Sequence, residues 1–281
     1  MGARALALVM WLSSSLGIKA TFTRLEREGI MIRHPLAIAG TLAGLCTAFV
    51  LSACGGDDPS GAQTLPQGSE PVNLEPADFT TQIDNPYWPM APGSRWIYRE
   101  TDAQGAKLRV EVTVTDKTKK IANGVEARVV HDLVTEGGQP VENTFDWYAQ
   151  DSDGNVWYLG EDTQEYENGK VTSTAGSWEA GVDGAQPGIA IPADPQPGLT
   201  YRQEYYAGEA EDEGEIVSLD EQAEVPFGHF ANALMTKDTN PLEPKVLEFK
   251  FYAKDVGPVL AVSVSGGSDR EELVSYTPGR A

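Results

Sequence analysis

The sequence predicts an all-β, mainly antiparallel domain, a duplicated β-meander that forms a curved sheet, half-barrel or barrel. Three observations carry this. Residues 108–114 and 125–129 alternate apolar and polar side chains, the period of a half-buried strand. Residues 144–149 and 155–159 are rich in aromatics, and Asp151-Ser152-Asp153-Gly154 between them is hairpin-turn chemistry. No stretch with a helical period reaches the length of a convincing helix. Period-two alternation buries one face of each strand and leaves the other wet.

In chain order, the first landmark is an export signal. Met31-Ile32-Arg33-His34 is a basic lead, and residues 35–51 form an apolar run too short and too poorly flanked for an ordinary membrane span. Leu51-Ser52-Ala53-Cys54 closes it, and Gly55-Gly56 follow. This resembles the lipobox of bacterial lipoproteins, which implies cleavage before Cys54 and acylation of its thiol. The expectation is a signal peptide over 31–53, a lipidated Cys54, and a domain in the bacterial cell envelope, lipid-anchored to a membrane and facing outside the cytoplasm. Two or more acyl chains, at about 0.8 kcal/mol per buried CH₂, give stable anchoring. Residues 1–30 add a second apolar run and a charged segment that a signal does not need. Translation is therefore expected to start at Met31, with 1–30 a mis-assigned extension.

Residues 54–77 are rich in Gly, Pro, Ser, Asp and Gln and show no apolar period, which reads as a flexible tether. The two cysteines are Cys46, inside the signal, and Cys54, so the mature domain is expected to lack disulfides. Net charge is −21; residues 1–54 carry five basic and two acidic side chains, which leaves −24 on the rest. Such a field repels nucleic acid and anionic headgroups, so no nucleic-acid partner is expected.

The β-rich domain spans 78–281, and its second half repeats its first, about 85–165 against 195–275. Pro92-Gly93-Ser94-Arg95-Trp96 matches Pro197-Gly198-Leu199-Thr200-Tyr201. Phe145-Asp146-Trp147-Tyr148-Ala149 matches Phe249-Lys250-Phe251-Tyr252-Ala253, and Gly154 matches Gly257. The offset is 103–105 residues. Each unit is expected to supply about five strands, and each twin to cover the other's apolar face.

The connection 175–197 between the units contains Gly176-Ser177-Trp178-Glu179 and Asp183 in a Gly/Pro-rich setting. Long structureless loops are uncommon in compact domains, and a Trp disfavours disorder. The loop is expected to pack back onto the domain, as a plug or a binding lid across the open end of the sheet.

Catalytic and metal motifs are weak. Asp151-Ser152-Asp153-Gly154-Asn155 looks like the opening of a calcium loop, but position 12 is Asp162 rather than Glu, and the flanks are strands. His131 and His229 have no neighbouring ligand at metal spacing. No G-x-S-x-G, H-E-x-x-H or P-loop is present. No catalytic residue, metal or cofactor is assigned, and an enzyme is the least favoured class. The acidic run Glu209–Glu213 reads as a solvated hairpin tip. Half of the aromatics are accounted for as core; the other half suit a groove. The candidate ligand-binding residues are Trp147, Tyr148, Trp157, Trp178, Glu179, Asp183, Arg202 and Glu204.

Residues 85–93, 146–161, 176–188 and 201–212 together resemble a family of uncharacterised secreted bacterial proteins, from about Asp84 to the C-terminus. That likeness implies no activity, cofactor or catalytic residue. More loosely, the lipobox, the tether and about ten or eleven strands resemble the LolA/LppX-type lipid-carrier lipoproteins, a likeness of fold alone. Three functions are weighed. The first is an envelope protein that binds an apolar or amphiphilic ligand in the concave face of its sheet. The second is a structural lipoprotein that holds an envelope protein as partner. The third is a hydrolase using carboxylates near Glu179, Asp183 and Glu204.

Overall fold

The computed structural model describes residues 65–280. The proposed extension 1–30, signal 31–53 and Cys54 lie outside the described residues. One 3-10 turn, Pro76–Asp78, precedes sixteen strands: β1 (Phe79–Thr80), β2 (Arg95–Thr101), β3 (Lys107–Lys120), β4 (Glu126–Glu136), β5 (Gln139–Asp151), β6 (Val156–Glu167), β7 (Lys170–Ser173), β8 (Trp178–Glu179), β9 (Gln186–Ile191), β10 (Thr200–Arg202), β11 (Glu204–Tyr205), β12 (Glu213–Val225), β13 (Gly228–Thr239), β14 (Leu247–Ala253), β15 (Gly257–Ser265) and β16 (Arg270–Thr277). The pairings are antiparallel throughout.

The strands form one sheet. From β10 its order runs β12, β13, β14, β15, β16, β2, β3, β4, β5, β6, β9 and β11, with β1 on β5 and with β7 and β8 on β6. The two ends of this path, β10 and β11, are separated in the chain by Gln203 alone. The backbone of 200–205 therefore bonds first to one end of the sheet and then to the other. The result is a nearly closed barrel whose seam is bridged by covalent chain. Closure of this kind removes the exposed edges that an open sheet must otherwise protect. Gly188 makes the seam possible, because a Cβ there would run into the backbone of Arg202 and Gln203.

The fold class agrees with the alternation in the sequence, but sixteen strands exceed the ten or eleven expected. The surplus is short. The connection 175–197 itself contains β8 and β9, and the seam strands have only two or three residues each. The alternating segments also mark only parts of longer strands: 108–114 lies in the front of β3, and 126–129, all but the first residue of the second segment, begin β4. Residues 65–77, read as tether, partly lie against the barrel. Leu65 is buried, Arg202 binds the carbonyls of Gly68 and Glu70, and the Val72 N–H donates to Gln186.

Register recurs around the sheet. One row runs Trp96, Val112, Asp132, Thr144, Thr163 across β2 to β6. Another runs Tyr201, Gly214, Asp238, Glu248, Ser263 across β10 and β12 to β15. The adjacent rows are Val114, Val130, Asp146, Glu161 and Ile216, Thr236, Lys250, Ala261. Both Pro-Gly turns grip their neighbouring strand alike: the Gly93 N–H donates to the Val114 carbonyl and the Gly198 N–H to the Ile216 carbonyl, each at 2.8 Å.

The interior is graded from aromatic to acidic. On β2 the inward side chains are Trp96, Tyr98 and Glu100; on β5 they are Tyr148, Asp146, Thr144 and Glu142; on β14 they are Tyr252, Lys250 and Glu248. Trp88, from the segment before β2, fills the aromatic end. Its ring centroid is 5.4 Å from Tyr148 and 6.1 Å from Tyr252 on the far wall. Burying side chains of this size contributes about 1.5–3 kcal/mol each.

Candidate functional site

The acidic end of the interior begins where aromatics give way to carboxylates. Glu100, Asp132, Glu142, Asp146, Glu161, Glu204, Asp238 and Glu271 are all buried. Burial disfavours the charged form, and like charges nearby add to that. Burial first, then Asp269 and Glu142, pushes the Glu100 carboxyl up to about 9. Burial, with Asp146 and Glu100 close by, holds the Asp132 carboxyl well above its ordinary range. Burial raises Asp146 to about 7, against the lowering effect of its bond from Tyr158.

The Tyr158 hydroxyl lies 3.0 Å from Asp146 Oδ1 and 2.8 Å from Glu161 Oε2. A phenol has one hydrogen to give, so it donates to one of these two groups at a time. The bulge opposite Trp147 brings these groups together. Its Gly160 has φ 127°, and a Cβ there would strike Trp178 and Glu179 of β8. Glu100 Oε2 and Asp132 Oδ1 are buried with no hydrogen-bond partner.

The β13–β14 side of the barrel is answered by a base. Lys250 Nζ is 2.8 Å from Asp238 Oδ2 and 3.5 Å from Glu248 Oε2. Thr236 donates to the other oxygen of Asp238 at 2.7 Å, and Gln203 Nε2 donates to Oδ2 at 3.2 Å. Burial alone would lower the Lys250 ammonium, but Asp238 and Glu248 outweigh it and hold the proton firmly.

Next to this, at the seam, is a cavity of about 280 Å³ lined by Gly68, Ser69, Arg202, Glu204, Tyr205, Glu211, Glu213 and Pro241. A buried cation and a buried acid flank it. Arg202 directs Nε and Nη2 to the Pro187 carbonyl at 3.1 and 2.7 Å, and Nη1 to the carbonyls of Gly68 and Glu70 at 2.8 and 2.7 Å. Burial lowers it to about 10, still protonated at neutral pH. Glu204 accepts from Trp178 Nε1 at 2.8 Å. Burial, and then the adjacent Asp212 carboxylate to which it bonds, raise Glu204 well above the ordinary range. The cavity is thus small and polar, with a buried cation at its wall.

Of the residues expected from sequence, Arg202, Glu204 and Trp178 converge here, and Tyr148 joins them through Tyr158. Tyr148 stacks on Tyr158 at 5.1 Å, and Tyr158 meets Trp178 edge-on at 5.3 Å. The other four are elsewhere. Trp147 lies on the outer face under Lys119, whose Nζ is 3.4 Å from the ring centre. Trp157 packs on Phe79 and donates to Asp151. Glu179 pairs with Lys119 at 2.8 Å, and Asp183 sits exposed in a turn with φ 50°. Glu179 and Asp183 lie outside the cavity that Glu204 lines.

The other sequence features have structural roles. Asp151 accepts from the N–H groups of Asp153 and Asn155 and from the side chains of Asn155 and Trp157, so its oxygens serve the turn rather than an ion. His131 Nε2 bonds Asn143 and the ring stacks on Phe145 at 4.7 Å, whereas His229 is exposed. Of the acidic run, Glu209 and Glu213 are exposed, while Ala210 and Asp212 are buried. The interior acids Glu100, Asp132, Asp146, Glu161 and Asp238 escaped the sequence reading. The available signal was Asp146 between Phe145 and Trp147, a charge in step with Tyr148 on an aromatic strand.

No family model and no curated protein matches the chain. Among solved structures, a crystal structure of a "putative lipoprotein" from Parabacteroides distasonis is similar at 12% identity, covering 68% of this chain and 98% of that one, with a TM-score of 0.37. A likeness at that level carries no argument about this chain's role.

Proposed function

We propose that the protein is a lipid-anchored envelope lipoprotein whose barrel is a binding module, with the seam cavity taking a small amphiphilic ligand by its polar end. The lipobox at Cys54 supports the anchor and the signal at 31–53. The observation that carries the binding reading is the cavity itself. Binding sites place a few fixed polar groups at a concave surface, and here Arg202 and Glu204 are buried, positioned and next to open space. An apolar cargo alone is a poor match for that lining. The recurrent register also supports descent of the two meanders, 85–165 and 195–275, from one duplicated unit.

Native mass spectrometry of the detergent-solubilised lipoprotein, purified from its own membrane, tests this reading. A stoichiometric small-molecule adduct on an acylated chain is the expected result; a bare chain in repeated preparations overturns it. A second reading, docking of an envelope protein, is favoured by Phe227, which is 41% exposed at the β12–β13 turn and stacked on Phe230.

A further inference from the structure

Residues 65–72, which lead into the barrel from the side of Cys54, cross its seam. Leu65 is buried at their start. On one side they hold β10: the Arg202 N–H donates to the Pro66 carbonyl at 2.7 Å, and Gln67 Nε2 donates to the Thr200 carbonyl at 2.6 Å. On the other side they hold β9, where the Val72 N–H donates to Gln186 Oε1 at 3.1 Å. The Arg202 guanidinium ties the two sides together, with Nη1 on the carbonyls of Gly68 and Glu70 and with Nε and Nη2 on that of Pro187 in β9. β10 ends the path of the sheet, and β9 stands next to its other end. Two of the eight residues that line the seam cavity, Gly68 and Ser69, belong to this segment.

We propose that residues 65–72 are a strap that gates the seam cavity, closed as it stands here and opened when the segment releases β9 and β10. The attachment is of a kind that opens locally. The strap adds no strand to the sheet. Residues 68–71 are exposed, and most of the bonds that hold the strap run through the side chains of Gln67, Gln186 and Arg202. Segments with few buried contacts and exposed hydrogen bonds open well below the cost of global unfolding. Beneath the strap the seam strands pair over two or three residues only, so its release frees the cavity wall. With Cys54 acylated, the docked strap also keeps the cavity mouth within about 40 Å of the membrane, the reach of the eleven residues from Cys54 to Leu65. The gate rests on the seam cavity being the binding site and adds the route by which an amphiphile enters it.

The test is hydrogen exchange read by mass spectrometry on the full-length lipoprotein in detergent. Segments 65–72 and 200–205 should exchange together, about tenfold or more faster than 108–114 in β3. Gln67→Ala removes the bond to Thr200 and should speed both segments about tenfold while leaving 108–114 unchanged. A disulfide formed in the Gln67→Cys, Thr200→Cys double variant should slow both, and reductant should restore them. If that disulfide does not form, Gln67→Ala decides alone. Exchange of both segments no faster than 108–114 overturns the proposal, as does a Gln67→Ala variant that accelerates 65–72 without 200–205 or accelerates neither. No ligand enters this measurement, so a strap that opens as described on a chain purified without an adduct would stand while the binding reading fell.

Discussion

Trp178 Nε1 donates to Glu204 Oε2 at 2.8 Å, and this bond ties the connection between the two meanders to the seam where the barrel closes. Trp178 comes from the Gly-rich stretch 175–197, and Glu204 opens the strand that bonds to β9. Trp178→Phe keeps the ring and removes the donor. Leaving a buried acceptor short of its partner costs about 1–3 kcal/mol. Urea unfolding should show that loss.

The seam depends on close backbone approach at Gly188. Gly188→Ala places a methyl group against Arg202 and Gln203, and overpacking of this kind costs about 1–3 kcal/mol. Hydrogen exchange at 200–205 should accelerate in that variant. Gly228→Ala, where a Cβ meets open space, is the control and should leave the seam unchanged.

Inside the barrel Lys250 compensates Asp238. Lys250→Met leaves that acid buried without its base, and breaking a buried pair from one side costs about 3–5 kcal/mol. The denaturation midpoint at pH 7 should fall accordingly. The double variant with Asp238→Asn should recover part of the loss.

How much of this was legible in the sequence depended on the face assigned to each strand. Alternation gave the strands, the hairpins and the class of fold. Trp178 stood out separately, as a Trp in a Gly-rich connection, and Arg202 and Glu204 only as charges just before the acidic run 209–213. The interior acids were missed because alternation is read with apolar side chains inward. β5 breaks that rule: Phe145 and Trp147 face outward while Asp146 faces in with Tyr148. Closure was also illegible, since β10 and β11 are too short to carry any pattern and pair through backbone alone.

The acids make stability depend on pH in an unusual sense. Glu100 titrates near 9 in the folded protein, above its ordinary value, so the folded state binds the proton that the unfolded chain releases. Its favourable contribution is present below about pH 4.5 and is lost as pH rises toward 9. Asp146 and Glu248, both raised to about 7, add to the same trend between acid and neutral pH. The urea midpoint should therefore be higher at pH 5 than at pH 8. Glu100→Gln should flatten that slope and stabilise the protein by about 1–3 kcal/mol at pH 8, with little effect at pH 4.

The central claim is that the seam cavity holds a ligand, and filling the cavity tests it most directly. Ser69 lines it from an exposed position, so Ser69→Trp obstructs the space without removing a buried contact. Native mass spectra of the two lipoproteins, purified alike from their own membrane, should show a bound adduct on the unaltered chain and a bare Ser69→Trp chain. An unaltered chain with no adduct, or an adduct retained equally by both, would contradict the account.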